Sequence, residues 1–141
     1  LNITVDKSAE DVGLALMLAD LIRQNVEKFS ERKRDFDKLM GIIALEVTDA
    51  DVLLTLDFQG GCLIVNNGIK GDPDIKLATD STTLLELNNA KLRFGLLDVT
   101  HPTGMTIIKK ILSGEIYLKG SGLLKKPMFL VRLTRLLSVS R

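Results

Sequence analysis

The sequence predicts an α+β domain in which an antiparallel meander of short strands is covered on one face by helices. Three observations predict it. Leu14, Leu18, Leu21, Ile22, Val26 and Phe29 recur at helical spacing. From Ile43 the period switches to two, and Val52, Leu54, Leu56 and Phe58 alternate with Leu53, Thr55 and Asp57. Gln59-Gly60-Gly61 then breaks the alternation with a hairpin signal.

In chain order, Ser8 and Asp11 read as a variant capping box opening a helix from about Ala9 to Phe29. A second, strongly charged helix is predicted from about Glu31 to Met40, with Gly41 as its left-handed cap. Ile43, Leu45 and Val47 predict the first strand and Val52 to Phe58 the second. Cys62 to Val65 supplies the third, and Ile75, Leu77 and Thr79 the fourth. Asn66-Asn67-Gly68 and Gly71-Asp72-Pro73-Asp74 between them are turn clusters. A short helix is expected from Asp80 or Ser81 through Leu87, and the stretch from Asn88 to Pro102 has no clear period. Thr103 reads as a cap before a helix carrying Met105, Ile108, Ile111 and Leu112, which Ser113-Gly114 closes. Ile116 and Leu118 alternate with Glu115, Tyr117 and Lys119 in a last strand. Pro127 suits the first turn of a final helix reaching about Leu137.

Length and composition narrow the function. The chain has 141 residues, so one domain over 1–141 is expected, with 1–40 as a helical segment and 41–141 as sheet and lid helices. Hydrophobic residues make up 45% and charged residues 26%, a globular composition. There is no tryptophan and aromatics are 4%, so the interior is Leu, Ile, Val and Met. That suits a pliable aliphatic pocket better than a platform for stacking bases. A net charge of +1 gives no reason to expect nucleic acid. The charge is uneven, however: Lys119, Lys125, Lys126, Arg132, Arg135 and Arg141 occur with no acidic residue from Ile116 to the end. Cys62 is the one cysteine, so no disulfide and no thiolate zinc cluster can form within the chain. The opening residues lack the blocks of a signal peptide, and the longest apolar run, Gly13 to Ala19, falls far short of the roughly 20 residues a membrane span needs. These features predict a cytoplasmic setting.

Two segments carry a family likeness. Gly71-Asp72-Pro73-Asp74-Ile75-Lys76-Leu77 resembles the turn and strand that lead into a short helix in the sterol carrier protein two family. Ile111-Leu112-Ser113-Gly114-Glu115-Ile116-Tyr117-Leu118-Lys119-Gly120-Ser121, with the apolar helix after it, resembles that family's helix end, Gly turn, strand ending in Lys-Gly and lid-like last helix. The order of elements matches from about Gly41 to Leu137. The resemblance implies a single five-stranded, largely antiparallel sheet with helices on one face and an apolar tunnel between the layers. It implies a hydrophobic lipid ligand (a sterol, a fatty acyl chain or an isoprenoid), no cofactor and no catalysis. The candidate lining is Leu54, Leu56, Leu77, Phe94, Met105, Ile108, Ile111, Leu112, Ile116, Leu118, Leu124, Met128 and Phe129.

The residues agree with such a site. Strand alternation sends Leu54, Leu56, Ile75, Leu77, Ile116 and Leu118 to one face. In the final helix, Met128, Phe129, Leu130, Val131, Leu133, Leu136 and Leu137 leave only a narrow polar stripe at Arg132 and Arg135. Such a helix must bury apolar surface on the core and on something else: a lipid chain, a partner subunit or a membrane. Each buried methylene is worth about 0.8 kcal/mol, so an acyl chain needs no directed chemistry to bind. Lys125, Lys126, Arg132 and Arg135 flank this helix and make it a candidate for docking on an anionic membrane.

Other residues suggest no chemistry. His101, before Pro102, has no companion for metal binding or base catalysis. Cys62 reads as an inert strand thiol, and Asp72 and Asp74 as turn-formers without a calcium loop. Gly120-Ser121-Gly122 lacks the continuation of a P-loop. Asp35 and Asp37, beside Arg32, Lys33 and Arg34, read as a solvated helix face. Two alternatives to a lipid carrier stay open. One is an accessory protein that holds a hydrophobic biosynthetic intermediate for partner enzymes, and the other a homodimerisation domain.

Overall fold

A computed structural model describes residues 2–88, 92–93, 96–97, 109, 113 and 116–137. The strands are β1 (Asn2–Val5), β2 (Met40–Val47), β3 (Val52–Gln59), β4 (Cys62–Asn67), β5 (Ile75–Thr79), β6 (Leu92–Arg93), β7 (Leu96–Leu97) and β8 (Tyr117–Lys119). The helices are α1 (Gly13–Lys28), α2 (Ser30–Lys38), α3 (Ser81–Asn88), α4 (Gly122–Lys125) and α5 (Pro127–Leu137). Among the described residues, six strands form one mixed sheet in the order β1-β4-β3-β2-β5-β8, and β6 pairs with β7 apart from it.

The expectation of five largely antiparallel strands is corrected in two ways. β1 adds an edge strand, running parallel to β4 with Ile3 opposite Leu63 and Val5 opposite Val65. β2 and β5 are also parallel, with Ile43 opposite Ile75 and Leu45 opposite Leu77. Four residues of Asn-Ile-Thr-Val are too short a run to announce a strand, and their partner lies some sixty residues away. The β3–β4 hairpin is as expected: Gly60 and Gly61 both have positive φ, 60° and 88°, which a two-residue turn of this hand demands.

Helix starts differ for a local reason. The Asp6 carboxylate accepts from the Ser8 amide at 3.1 Å and from its hydroxyl at 2.7 Å, closing a 3-10 turn at Lys7–Ala9. The Ser8 hydroxyl oxygen also accepts the Asn67 amide at 3.2 Å. Ser8 is therefore engaged away from α1, which begins at Gly13 behind Val12 with no side-chain cap. Gly41 is likewise not a helix cap. α2 ends at Lys38, and Gly41 is the second residue of β2 with φ +153°.

Alternate residues of the sheet face the helices. Leu54, Leu56 and Phe58 of β3, Ile43, Leu45 and Val47 of β2, and Leu63 and Val65 of β4 are all buried there. Leu18, Ala19, Ile22 and Val26 of α1 and Phe36 of α2 meet them in one core. The interior of Leu, Ile, Val and Met expected from the composition is corrected, since three aromatic rings run through its centre edge to face: Phe36 to Phe58 at 6.4 Å and Phe58 to Phe129 at 6.0 Å. Each such pair adds about 0.5–1.5 kcal/mol beyond area burial and ties α2, β3 and α5 together. α5 presents Phe129, Leu133, Leu136 and Leu137 inward, one helical stripe. At its far end the Asn25 side-chain amide donates to the Leu136 carbonyl at 2.6 Å, which satisfies a helix-end acceptor.

Candidate functional site

The site is built where α2 hands over to β2 and the last helix crosses them. The hairpin turn sets the first wall. The Gly61 amide donates to the Phe36 carbonyl at 3.2 Å and the Gly60 amide to the Leu39 carbonyl at 2.8 Å. These bonds tie the hairpin turn to carbonyls at the end of α2 and hold Leu39 and Met40 in place.

Asp74 sets the second wall. Its amide donates to the Ile42 carbonyl and its carboxylate accepts the Ile42 amide, both at 2.8 Å. Its carbonyl accepts the Gly122 amide at 2.9 Å. Lys126 Nζ lies 3.2 Å from the same carboxylate and 3.2 Å from the Met40 carbonyl. One residue thus straps the turn before α5 to the sheet. The approach is so close that Gly120, at φ +131°, has no room for a Cβ beside the Asp74 carbonyl. A Cβ on Gly41 would sit 2.9 Å from both Asp74 Oδ2 and Phe129 Cε2, so Gly41 serves the passage of the last helix.

Between these walls lies a groove of about 260 Å³ lined by Lys38, Leu39, Met40, Lys126, Met128, Phe129 and Arg132. Leu39 and Phe129 are buried and form its floor, while Met40 and Met128 are exposed at 58% and 44%. The volume lies just under the roughly 300–1,000 Å³ of a typical small-molecule pocket. By chemistry it is an apolar trough with cations on its rim.

Behind the rim is a buried ion pair. Arg135 of α5 meets Asp35 of α2 at 3.1 Å, with 21% and 10% of the side chains exposed. Asp35 and Arg32 are buried, so the solvated helix face expected here is corrected for these two residues, while Lys33, Arg34 and Asp37 are exposed as expected. Arg32 stacks over the Phe29 ring at 5.2 Å. Burial pushes the Asp35 carboxyl above its ordinary 3.8 and outweighs the opposing pull of Arg135, Arg32, Arg132 and Lys38. A raised acid binds its proton more tightly in the folded state. Its contribution to stability is therefore complete below about pH 3.8 and is lost as pH rises through the raised value. Asp35→Asn stays neutral throughout. The melting temperature of this variant is expected to gain on that of the parent as pH rises above 3.8 and through the raised value. Asp6 and Asp49, lowered by hydrogen bonds from Ser8 and Ser81, act in the opposite sense in both proteins and cancel from the difference. Paired melting curves check the sign.

The predicted site residues divide accordingly. Met128 and Phe129 line the groove with Lys126 and Arg132. Leu54, Leu56, Leu77 and Ile116 are buried in the core, and Leu118 packs half-buried against it. Leu124 stands in solvent, 90% exposed. Lys125 is exposed, whereas Arg135 is turned inward to Asp35. Phe94, Met105, Ile108, Ile111 and Leu112 lie outside the described residues; of the helix predicted from Thr103 to Leu112, Lys109 is described, and it is helical. His101 also lies outside them, and Cys62 is half-buried in β4. Sequence reasoning missed Lys38, Leu39 and Met40 as a wall and Asp74 as a strap. A charged helix end followed by two apolar residues carries no local sign that a helix ninety residues later will cross it.

A mixed sheet with helices on one face and a last helix strapped across them is the architecture of a sterol carrier domain. The model of the SCP-2 sterol transfer family matches residues 12–100, more than half of the chain, and the chain belongs to that family. Among solved structures, the UbiJ-SCP2 ubiquinone synthesis protein is similar at a TM-score of 0.57 and 18% identity, covering 85% of this chain and 96% of its own. The sterol carrier protein domain 2 of Helicoverpa armigera is similar at 0.55 and 18%, with 89% and 91% covered. A sterol carrier protein 2 is similar at 0.53 and 15%, with 86% and 91% covered. No curated protein matches in sequence. Among the described residues, no helix is long and apolar enough to cross a membrane.

Proposed function

We propose that this chain binds a hydrophobic lipid in an apolar cavity between its sheet and last helix, and transfers or presents it without catalysing a reaction. The observation that carries this reading is the groove at the start of α5, with Leu39 and Phe129 as its floor. In this reading the groove is the entrance to the cavity. Membership of a sterol transfer family supports the ligand class. Uptake needs only removal of an aliphatic tail from water, at about 0.8 kcal/mol per methylene. A second reading, an accessory role that holds a hydrophobic intermediate for partner enzymes, is favoured by the likeness to the UbiJ-SCP2 ubiquinone synthesis protein. The same cavity serves both.

Titration with a fluorescent fatty acid analogue tests the reading. Saturable enhancement at one ligand per chain is expected, displaced by unlabelled fatty acid or sterol. Met128→Glu, which places a carboxylate at the exposed edge of the groove, is expected to weaken uptake about tenfold or more, as for burying an uncompensated charge against an apolar tail. Equal affinity for the variant would separate the groove from the entrance.

A further inference from the structure

We propose that the Thr79 hydroxyl is a polar anchor of the lipid site, selecting a neutral ligand with a hydroxyl or carbonyl oxygen at its buried end. This role rests on the lipid-carrier reading and names what that site selects. Thr79 ends β5, where Ile75, Leu77 and Thr79 are buried and alternate with half-buried Lys76 and Ala78. They lie in register beside Ile43, Leu45 and Val47 of β2, so the Thr79 side chain is on the sheet face that the helices cover. The residue is 1% exposed, and its Oγ1 has no hydrogen-bond partner among the described residues. A buried hydroxyl left unpaired lowers stability, and valine has the same shape without that penalty. The position therefore holds a polar atom that the ligand-free fold does not use.

The surroundings fix this group and define what it meets. The Thr79 carbonyl accepts the Thr48 amide at 2.9 Å and the Thr48 hydroxyl at 3.3 Å, so the backbone is held while the side chain is unused. The Asp49 carboxylate accepts the Ser81 amide at 2.8 Å and the Ser81 hydroxyl at 2.6 Å. The Asp80 carboxylate accepts the Thr83 amide at 2.7 Å. These bonds clamp the passage from β5 into α3, and a group on so firm a support makes a precise anchor. β2 has eight residues, from Met40 on the groove to Val47 beside Thr79, so the hydroxyl stands roughly 23 Å from the groove along the strand. That separation is comparable to the length of an extended long-chain lipid. A ligand entering at the groove therefore reaches Thr79 with its leading end. The polar atom it brings there has to be neutral, because a buried carboxylate needs a cation and Asp49 and Asp80, the charged side chains of this junction, are both acidic.

Thr79→Val tests the role, with hexadecanol, hexadecane and palmitate each competing against a fluorescent fatty acid analogue. The substitution is expected to weaken hexadecanol about tenfold, because the alcohol is left buried without its partner. Hexadecane has no oxygen to lose a bond, and palmitate keeps its carboxylate at the groove, so both are expected to compete as in the parent. Thr79→Ser is expected to restore most of the affinity for hexadecanol. Without ligand, Thr79→Val is expected to melt a few degrees higher than the parent, since an unpaired hydroxyl has been removed. Unchanged competition by hexadecanol, an equal loss for all three lipids, or a lower melting temperature without ligand would each overturn the proposal. The parent protein separates the two claims. Uptake of the analogue with hexadecanol indifferent to Thr79→Val leaves the carrier reading standing and ends this one, whereas no uptake of any lipid by the parent ends both.

Discussion

Phe129→Ala is expected to destabilise the protein by about 3–5 kcal/mol, the usual cost of removing a buried phenylalanine. The ring is 3% exposed and sits at the end of the edge-to-face run through Phe58 to Phe36. Its removal costs the transfer energy of the ring, the contact with Phe58 and a cavity that Gly41 cannot fill, since Gly41 has no side chain. At roughly 2–4 °C per kcal/mol for a chain of this size, the melting temperature is expected to fall by about 10 °C. Met128→Ala, one residue earlier but 44% exposed, is the matched control and is expected to cost only about 0.5–1 kcal/mol. Thermal unfolding of the two variants side by side checks the contrast. Equal losses would mean that Phe129 does not anchor the last helix.

Gly120→Ala is the second large effect, and its cause is different. Alanine at φ +131° is in backbone territory that only glycine occupies freely, at a cost of about 1–3 kcal/mol. The new Cβ would also collide with the Asp74 carbonyl, and overpacking of this kind adds about 1–3 kcal/mol. The strain cannot be spread along the turn, because Asp74 holds Gly122 and Lys126 on either side of α4. The expected outcome is release of the segment from β8 to α5 while the sheet from β1 to β5 persists. Hydrogen exchange is expected to quicken over 117–137 far more than over 40–67. Uniform exchange throughout would mean that the strap is not a separate unit of stability.

Much of this fold was legible because local period encodes burial. The alternation in β3, the Gly60-Gly61 turn and the helix opened by Pro127 each follow from residues within a few positions of one another. The features that escaped are those decided by distant approach. Nothing near Asn2–Val5 signals that it pairs with β4, because parallel pairing has no connecting turn. Gly41 looks like a helix stop, yet the need for glycine comes from Asp74 and Phe129, both far along the chain. Asp35 sits among charges in sequence and was read as solvated, but α5 lies over it and supplies Arg135. The candidate site was half legible for the same reason. The apolar, basic character of the last helix named Lys126, Met128, Phe129 and Arg132, while the opposite wall at Lys38, Leu39 and Met40 is set by the hairpin's bonds to the end of α2.

Native mass spectrometry of the intact protein, before and after incubation with a long-chain fatty acid or a sterol, addresses the account at its centre. The expected spectrum shows a monomer carrying one lipid mass, lost on collisional activation and restored by adding ligand. A spectrum that stays at the bare chain mass under every ligand tried would mean that nothing greasy is held between the sheet and its last helix, and would contradict the account.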